Sequence, residues 1–103
     1  MHEARRALAV VVLPDGIYAI GGYDGRKYLN SVEKFDLAKQ EWLSVKPMNT
    51  ARCTLSAVAS SDCQFIYVIG GYNGKALSLV ERYSVMKDTW ELMAPMNIKR
   101  FMH

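Results

Sequence analysis

The side chains of this chain that could do chemistry are tyrosines, arginines and asparagines near turns, and the usual catalytic groups are poorly placed. The two histidines, His2 and His103, lie at the ends of the sequence, where chains are often poorly ordered. The two cysteines, Cys53 and Cys63, have no metal-ligand spacing. The sequence shows no Ser-His-Asp ordering, dinucleotide fingerprint or phosphate-binding loop. We therefore expect a binding protein without cofactor or metal, and not an enzyme.

These candidate residues recur because the chain contains two copies of one pattern. Residues 17–25 read IYAIGGYDG, and residues 66–74 read IYVIGGYNG. Trp42 likewise returns as Trp90, 48 positions later. A repeat of this length is one supersecondary unit that must pack against neighbours to bury its apolar side chains.

Each copy contains four runs of β-branched and aromatic residues bounded by turn formers. The sequence predicts strands at residues 7–13, 16–22, 31–36 and 41–45, and again at 55–60, 65–71, 79–84 and 89–93. The second copy has extra residues near Cys63 and one residue fewer after Gly74. We place both differences in turns, because an insertion in a strand would reverse its faces.

The double glycine, the Glu-Arg-Tyr type segment and the tryptophan, in this order, resemble the kelch repeat, one blade of a β-propeller. The resemblance implies an all-β fold with two kelch blades, each a four-stranded antiparallel sheet, in an incomplete propeller. We assign residues 1–52 to the first blade and 53–103 to the second, with the start of a third. Propellers close with about four to eight blades. We therefore expect a piece of a longer propeller, with self-assembly of copies as the alternative.

The recurring residues have structural explanations within such a blade. Glycine permits positive φ and close backbone approach at a bulge, and the tryptophans would pack between adjacent blades. The resemblance implies that the glutamates are bound by the backbone or by an arginine. The predicted structural residues are Gly21, Gly22, Glu33, Trp42, Gly70, Gly71, Glu81 and Trp90.

In a propeller of this kind, the loops between second and third strands and the hinges between blades reach one face, where a rigid scaffold commonly presents binding residues. Arginine binds carboxylates through paired hydrogen bonds, and tyrosine supplies rigid contact area with a polar tip. The predicted partner-binding residues are Arg5, Tyr23, Asp24, Arg26, Asn49, Arg52, Tyr72, Asn73, Lys75 and Arg100.

The chain is most similar to the kelch-like substrate adaptors of cullin-RING ubiquitin ligases, which carry a BTB domain. The resemblance implies that the hinge arginines and the tyrosines after the double glycines contact peptide segments of target proteins. For Arg52 and Arg100, an alternative is that they hold neighbouring blades together by bonding to backbone carbonyls. Arg26 and Lys75 have the alternative of being solvated turn charges.

The predicted function is therefore a protein-interaction module that recruits substrate proteins to a cullin-RING ligase, with the cullin bound through a BTB domain outside these residues. One alternative is a kelch protein that binds actin or the cytoskeleton, and another is a pair of blades that only fills the ring. A BTB segment preceding the repeats in the same polypeptide would favour the ligase role.

Composition limits the other classes of partner. The net charge is +3 with a pI of about 9.0, and the basic residues are scattered, so we expect no nucleic-acid binding. No apolar run is long enough to span a membrane. Cys53 and Cys63 are typical of a reduced, intracellular protein. We expect a cytoplasmic location, with association with the cytoskeleton as the alternative. A disulfide between them is the alternative to free thiols.

Overall fold

A computed structural model describes residues 4–93, which form two four-stranded antiparallel sheets. The first sheet contains β1 (Ala9–Leu13), β2 (Gly16–Tyr23), β3 (Tyr28–Asp36) and β4 (Glu41–Val45), and the second contains β5 (Ser56–Ala59), β6 (Phe65–Ile69), β7 (Val80–Ser84) and β8 (Thr89–Met93). In both sheets the strands lie in sequence order. The prediction of two blades of an unclosed propeller is confirmed.

The first strand of each blade begins later than predicted. Ala7 has a φ of 55° and Thr54 a φ of 52°, which are left-handed values that a regular strand does not contain. The two residues still connect the sheets, since the Thr54 amide donates to the Ala7 carbonyl at 2.7 Å. β1 therefore begins at Ala9 and β5 at Ser56.

The glycine-associated bulge is confirmed in the first blade, where the β2–β3 register shifts between Ile20 and Gly22. Gly21 has a φ of +63°, and a Cβ atom there would lie 2.6 Å from the Arg52 carbonyl oxygen. Gly22 donates its amide to the same carbonyl at 2.8 Å. Glycine is required at this point because the hinge of the next blade passes directly over the strand.

The length differences between the copies lie in turns, as predicted. Two residues join β1 to β2, whereas residues 60–64 join β5 to β6. In the second blade a loop of residues 70–79 joins β6 to β7, whereas residues 24–27 join β2 to β3 in the first. β6 therefore ends at Ile69 rather than at the predicted residue 71. Cys63 lies in the longer turn, and both it and Cys53 are free thiols, so the alternative disulfide is not formed.

The two sheets pack face to face. We name the faces of each sheet by alternate residues along its strands. Face A of the first sheet carries the buried side chains of Val11, Tyr18 and Ile20, and face B of the second carries those of Ile66 and Tyr83. These two faces form the main apolar core. Tyr18 and Tyr83 meet across it with ring centroids 6.0 Å apart.

Polar bonds secure the same interface at its outer edge. The Trp90 indole donates to the Lys46 carbonyl at 2.8 Å, and the Lys46 amide donates to Asp88 Oδ1 at 3.0 Å. The Tyr83 hydroxyl also donates to Asp88 Oδ1, at 2.7 Å. Burial, followed by the Asp88 carboxylate, raises the pKa of Tyr83. Trp90 therefore packs between blades as predicted.

Trp42 has different surroundings from its repeat counterpart. It lies on face B of the first sheet, half-buried, and packs on Phe35 with ring centroids 5.4 Å apart. Among residues 4–93, no other sheet covers this face. The packing of Trp42 between two blades stays a prediction, because residues 4–93 contain no further blade on that side of the first sheet.

Candidate protein-binding face

Three tyrosines line an open cavity where the loops of the two blades meet. The cavity has a volume of about 270 Å³ and is lined by Arg6, Ala7, Tyr23, Tyr28, Cys53 and Tyr72. The ring centroids of Tyr23 and Tyr28 are 5.2 Å apart, and those of Tyr28 and Tyr72 are 6.1 Å apart. Tyr28 thus lies between a tyrosine of each blade, and we call the three side chains the tyrosine row.

The β-structure of each blade positions this row. Tyr23 and Tyr28 are paired directly across the β2–β3 hairpin, so their side chains project to the same side. Tyr23 exchanges two backbone hydrogen bonds with Arg6, at 3.0 and 2.9 Å. In the second blade Tyr72 makes the equivalent exchange with Cys53, at 2.9 Å in both directions. Each tyrosine after a double glycine is therefore held against the hinge of its own blade.

Arg6 adds a positive charge to the edge of the cavity. Its guanidinium carbon lies 5.6 Å from the centroid of the Tyr23 ring, a cation–π distance, and the residue is exposed. Burial, followed by Tyr72, Cys53 and Tyr23, raises the pKa of Tyr28. Tyr28 is therefore a neutral hydroxyl at physiological pH, able to donate or accept a hydrogen bond.

Asp24 shapes the first loop. Its carboxylate accepts hydrogen bonds from the Lys27 amide at 2.9 Å and the Arg26 amide at 2.8 Å. These two hydrogen bonds lower the pKa of Asp24, and the bond from the Lys27 amide has the larger effect. Asp24 also lines an adjoining cavity of about 240 Å³, together with Arg6 and Tyr23. Its role in the structure is thus to fix the loop that ends in Tyr28.

Four other predicted contacts lie on loops and do not line this cavity. Arg26, Asn49 and Lys75 are exposed, and Asn73 is half-buried. The Asn49 amide donates to Glu81 Oε1 at 2.7 Å, so this hinge residue is held in place. Arg100 lies outside the described residues.

Arg5 and Arg52 require a correction, because their side chains are fully buried and a buried guanidinium offers no surface to a partner. Arg52 Nη1 donates to the carbonyls of Gly70 and Leu79, both at 2.8 Å, and Nη2 donates to Glu81. The alternative interpretation of Arg52, a bond to backbone carbonyls that fixes the blades, is therefore what the structure shows.

Arg5 repeats this arrangement in the first blade. Its Nη1 donates to the carbonyls of Gly21 at 3.0 Å and Ser31 at 2.9 Å, and its Nη2 donates to Glu33 at 2.9 Å. Glu33 and Glu81 thus each bind an arginine, as the resemblance implied. Both guanidinium groups support the loops from beneath, and Arg5 also lines the adjoining cavity of about 240 Å³.

The sequence placed Arg6 at the first hinge and Tyr28 in a loop of this face, but neither was among the predicted contacts. Neighbouring side chains in an extended segment point to opposite sides, so burial of Arg5 directs Arg6 outward. Residues 24–27 form a four-residue turn, which pairs Tyr23 with Tyr28 across a hairpin. Cys53 is the residue of the second repeat that corresponds to Arg6 of the first, and both line the cavity.

Metal sites and membrane-spanning helices are two other features that residues 4–93 could contain. Nowhere in this range do three or more His, Cys, Asp or Glu side chains cluster as metal ligands would. Nor does the range contain a helix with the length and apolar character needed to cross a membrane.

Two blades with an aromatic cavity at their loop ends define the class of protein, a propeller-type interaction module. Residues 4–49 and 52–97 each match the Kelch motif. The chain is 33% identical over 98 residues to mouse Kelch-like protein 35, which covers 92% of the chain and 17% of that protein. The chain therefore belongs to the kelch-repeat family and to its kelch-like branch.

Two further relatives carry informative names. A kelch repeat and BTB domain-containing protein of Caenorhabditis elegans is 31% identical over 104 residues, covering 97% of the chain and 18% of that protein. An influenza virus NS1A-binding protein homolog of Xenopus laevis is 36% identical over 74 residues, covering 72% of the chain and 11% of that protein. The chain spans less than a fifth of the length of each of these relatives. The kelch repeat is generally a non-catalytic protein-binding module, and the family supports that class here.

Proposed function

We propose that these two blades form part of the substrate-binding face of a kelch-like adaptor, and that the tyrosine row holds a peptide segment of the target protein. The observation that carries the proposal is the cavity of about 270 Å³ between the blades, lined by three tyrosines. Tyrosine is enriched among the residues that dominate binding energy, because its ring is rigid and its hydroxyl remains polar. Tyr72 is 44% exposed, so its ring is available for contact.

The charge around the cavity indicates the kind of segment it binds. Arg6, Arg26 and Lys75 are exposed near its loops, whereas the nearby Asp24 carboxylate is already bonded to two backbone amides. An arginine binds a carboxylate through paired hydrogen bonds. We therefore expect an apolar side chain of the partner against the tyrosines and an acidic side chain beside Arg6.

Delivery of the target to a cullin-RING ligase is the finer part of the proposal. It is supported by the kelch-like relatives, among them one whose name includes a BTB domain. We propose a cytoplasmic location for the same reason. Actin binding is the competing role, favoured by the exposed basic loop residues Arg26, Lys27 and Lys75.

Peptide binding is tested by selecting a displayed library of random linear peptides on the immobilised chain. We expect enriched peptides to place an acidic residue next to an apolar one. Tyr72→Ala removes an exposed ring and should abolish their binding, whereas Arg6→Ala should remove only the preference for the acidic residue. Met86→Ala is the matched control, because Met86 is 83% exposed in the turn between β7 and β8.

Two results would contradict this binding site: no enrichment above the uncoated surface, or enriched peptides that bind Tyr72→Ala as tightly as the unaltered chain. The ligase role is tested separately by immunoprecipitating the endogenous polypeptide that contains these repeats and identifying its partners by mass spectrometry. Recovery of a cullin and a RING subunit supports that role. Recovery of actin without a cullin would replace it by the cytoskeletal one.

A further inference from the structure

Asn73 is followed directly by Gly74 in the loop that joins β6 to β7. Asparagine is a chemically labile residue, because the backbone nitrogen of the next residue can attack its side-chain amide carbon. Glycine hinders this attack least, since it has no Cβ atom and gives the backbone the greatest freedom. Asn73 is the one asparagine within residues 4–93 that precedes a glycine, so its sequence context favours the reaction most.

The loop leaves both reacting groups accessible. Within the described part of the chain, the Gly74 amide donates no hydrogen bond and the Asn73 side chain makes none. Gly74 is exposed, with a φ of +109°, and a Cβ atom added to it would have no neighbour within 4 Å. Two groups on adjacent residues react readily when nothing holds them apart, because the encounter is intramolecular.

The other two asparagines of residues 4–93 are held by hydrogen bonds. The Asn30 side-chain nitrogen donates to the Met48 carbonyl at 3.3 Å, from within β3. After Asn49, the attacking nitrogen would be the Thr50 amide, which donates to Glu81 Oε2 at 3.3 Å. Such a bond must be broken before either group can react, which adds to the barrier. The structure therefore separates Asn73 from both of them.

We propose that Asn73 is a site of spontaneous deamidation, with water as the second reactant. The Gly74 nitrogen gives up its proton and bonds to Asn73 Cγ, the Cγ–Nδ2 bond breaks, and Nδ2 leaves with that proton as ammonia. Water then opens the resulting cyclic imide. Cleavage of the new N–Cγ bond gives aspartate, and cleavage at the backbone carbonyl carbon gives isoaspartate. Both products carry a negative charge in place of a neutral amide, and no oxidation or reduction takes place.

The first blade contains the counterpart of the aspartate product. Asp24 stands at the position of Asn73, and its carboxylate accepts hydrogen bonds from the amides two and three residues further along the chain. In the second blade, the Lys75 amide is two residues further and donates no hydrogen bond within residues 4–93. An aspartate at position 73 thus has a backbone donor in reach, and its charge lies next to Tyr72.

The test is incubation of the unaltered 103-residue chain in neutral and mildly alkaline buffer, followed by proteolysis and mass spectrometry of the peptides. We expect Asn73 to deamidate many-fold faster than Asn30 and Asn49. The rate should rise with pH, because the deprotonated amide nitrogen is the nucleophile. An isoaspartyl methyltransferase, which methylates isoaspartate, should label the aged chain. Asn73→Gln is the matched control and should stay unlabelled, because its longer side chain must close a larger ring.

Two results would overturn the proposal. One is an aged chain in which residue 73 is still asparagine. The other is deamidation of Asn30 or Asn49 at the same rate as Asn73, because the free amide and the open loop would then have no influence. The peptides that contain the three asparagines are measured separately in the same digest, so each outcome is assigned to its own residue.

One consequence rests on the proposed peptide-binding function. The new carboxylate lies in the same loop as Tyr72 and Lys75 and would repel an acidic segment. Asn73→Asp should therefore bind the enriched acidic peptides several-fold more weakly than Asn73→Gln, and equal binding would overturn this consequence. The mass measurement requires no peptide, so failure of the binding function and failure of the deamidation are distinguishable.

Discussion

Arg52 and Glu81 form a fully buried ion pair, with Arg52 Nη2 2.5 Å from Glu81 Oε2. The main chain of Arg52 is bonded to the first blade. Its carbonyl accepts a hydrogen bond from the Gly22 amide at 2.8 Å, and its amide donates one to the Leu29 carbonyl at 3.1 Å. The pair therefore connects the hinge between the blades to the middle of the second sheet. It also sets the position of the loops that carry the tyrosine row.

Replacing Arg52 by alanine should destabilise the chain strongly, because Glu81 would remain buried without its partner. Removal of one member of a buried pair costs about 3–5 kcal/mol. The measurement is the free energy of unfolding from urea titration followed by tryptophan fluorescence. Arg26→Ala, in an exposed loop, is the control and should change stability by less than about 0.5 kcal/mol.

The double variant Arg52→Met/Glu81→Leu distinguishes a buried charge from lost packing. Apolar replacements of similar volume often restore the stability of a buried pair, so this variant should be more stable than Arg52→Ala. If Arg52→Ala has the same free energy of unfolding as the unaltered chain, the ion pair does not stabilise the hinge.

The two repeat tryptophans should differ in their contribution to stability. Trp90 packs on Tyr83, with centroids 5.0 Å apart, and donates to the first blade, so Trp90→Ala should cost about 3–5 kcal/mol. Trp42 lies on a face that no other sheet in residues 4–93 covers, so Trp42→Ala should cost less. Thermal unfolding of both variants gives the comparison. Equal losses would contradict the difference in their surroundings.

Gly21 and Gly70 allow backbone strain to be separated from crowding. Their φ values are +63° and +68°, but an added Cβ would lie 2.6 Å from the Arg52 carbonyl at Gly21 and 3.5 Å from its nearest neighbour, the Leu77 carbonyl, at Gly70. Gly70→Ala should cost about 1–2 kcal/mol, the usual penalty of a left-handed residue. Gly21→Ala should lower the free energy of unfolding, measured by urea titration, clearly more than Gly70→Ala does. Similar losses in the two variants would mean that the hinge moves away from the added methyl group.

Stability should fall in acid, in part through Asp24. The backbone bonds of Lys27 and Arg26 lower its folded pKa below the unfolded value of about 3.9. The resulting stabilisation is fully present above the unfolded pKa and disappears as pH falls through the folded pKa. Asp24→Asn imitates Asn73 of the second repeat and should remove this part of the acid sensitivity. The measurement is the free energy of unfolding from urea titration at a series of pH values. If this free energy falls with decreasing pH as steeply in the variant as in the unaltered chain, the prediction is wrong.

The sequence was sufficient to predict the elements and their order. Strand positions follow from alternating apolar residues and turn dipeptides, which depend on near neighbours. The resemblance to the kelch repeat implied that Glu33 and Glu81 bind the backbone or an arginine. Predicted strand ends were wrong where single residues such as Ala7 adopt positive φ, since nothing in the residue type announces it.

The sequence by itself determined that this chain consists of two kelch blades with tyrosines and arginines at their loops. Only the tertiary structure decided that Arg5 and Arg52 are buried supports, and that Tyr28 lies between Tyr23 and Tyr72. It also decided that, within residues 4–93, the other sheet packs on the face that carries Trp90 and not on the face that carries Trp42. Periodicity specifies which side of a strand a residue occupies, whereas contacts between hinge, hairpin and neighbouring sheet join residues far apart in the chain, and their geometry is set by how one sheet packs on the next.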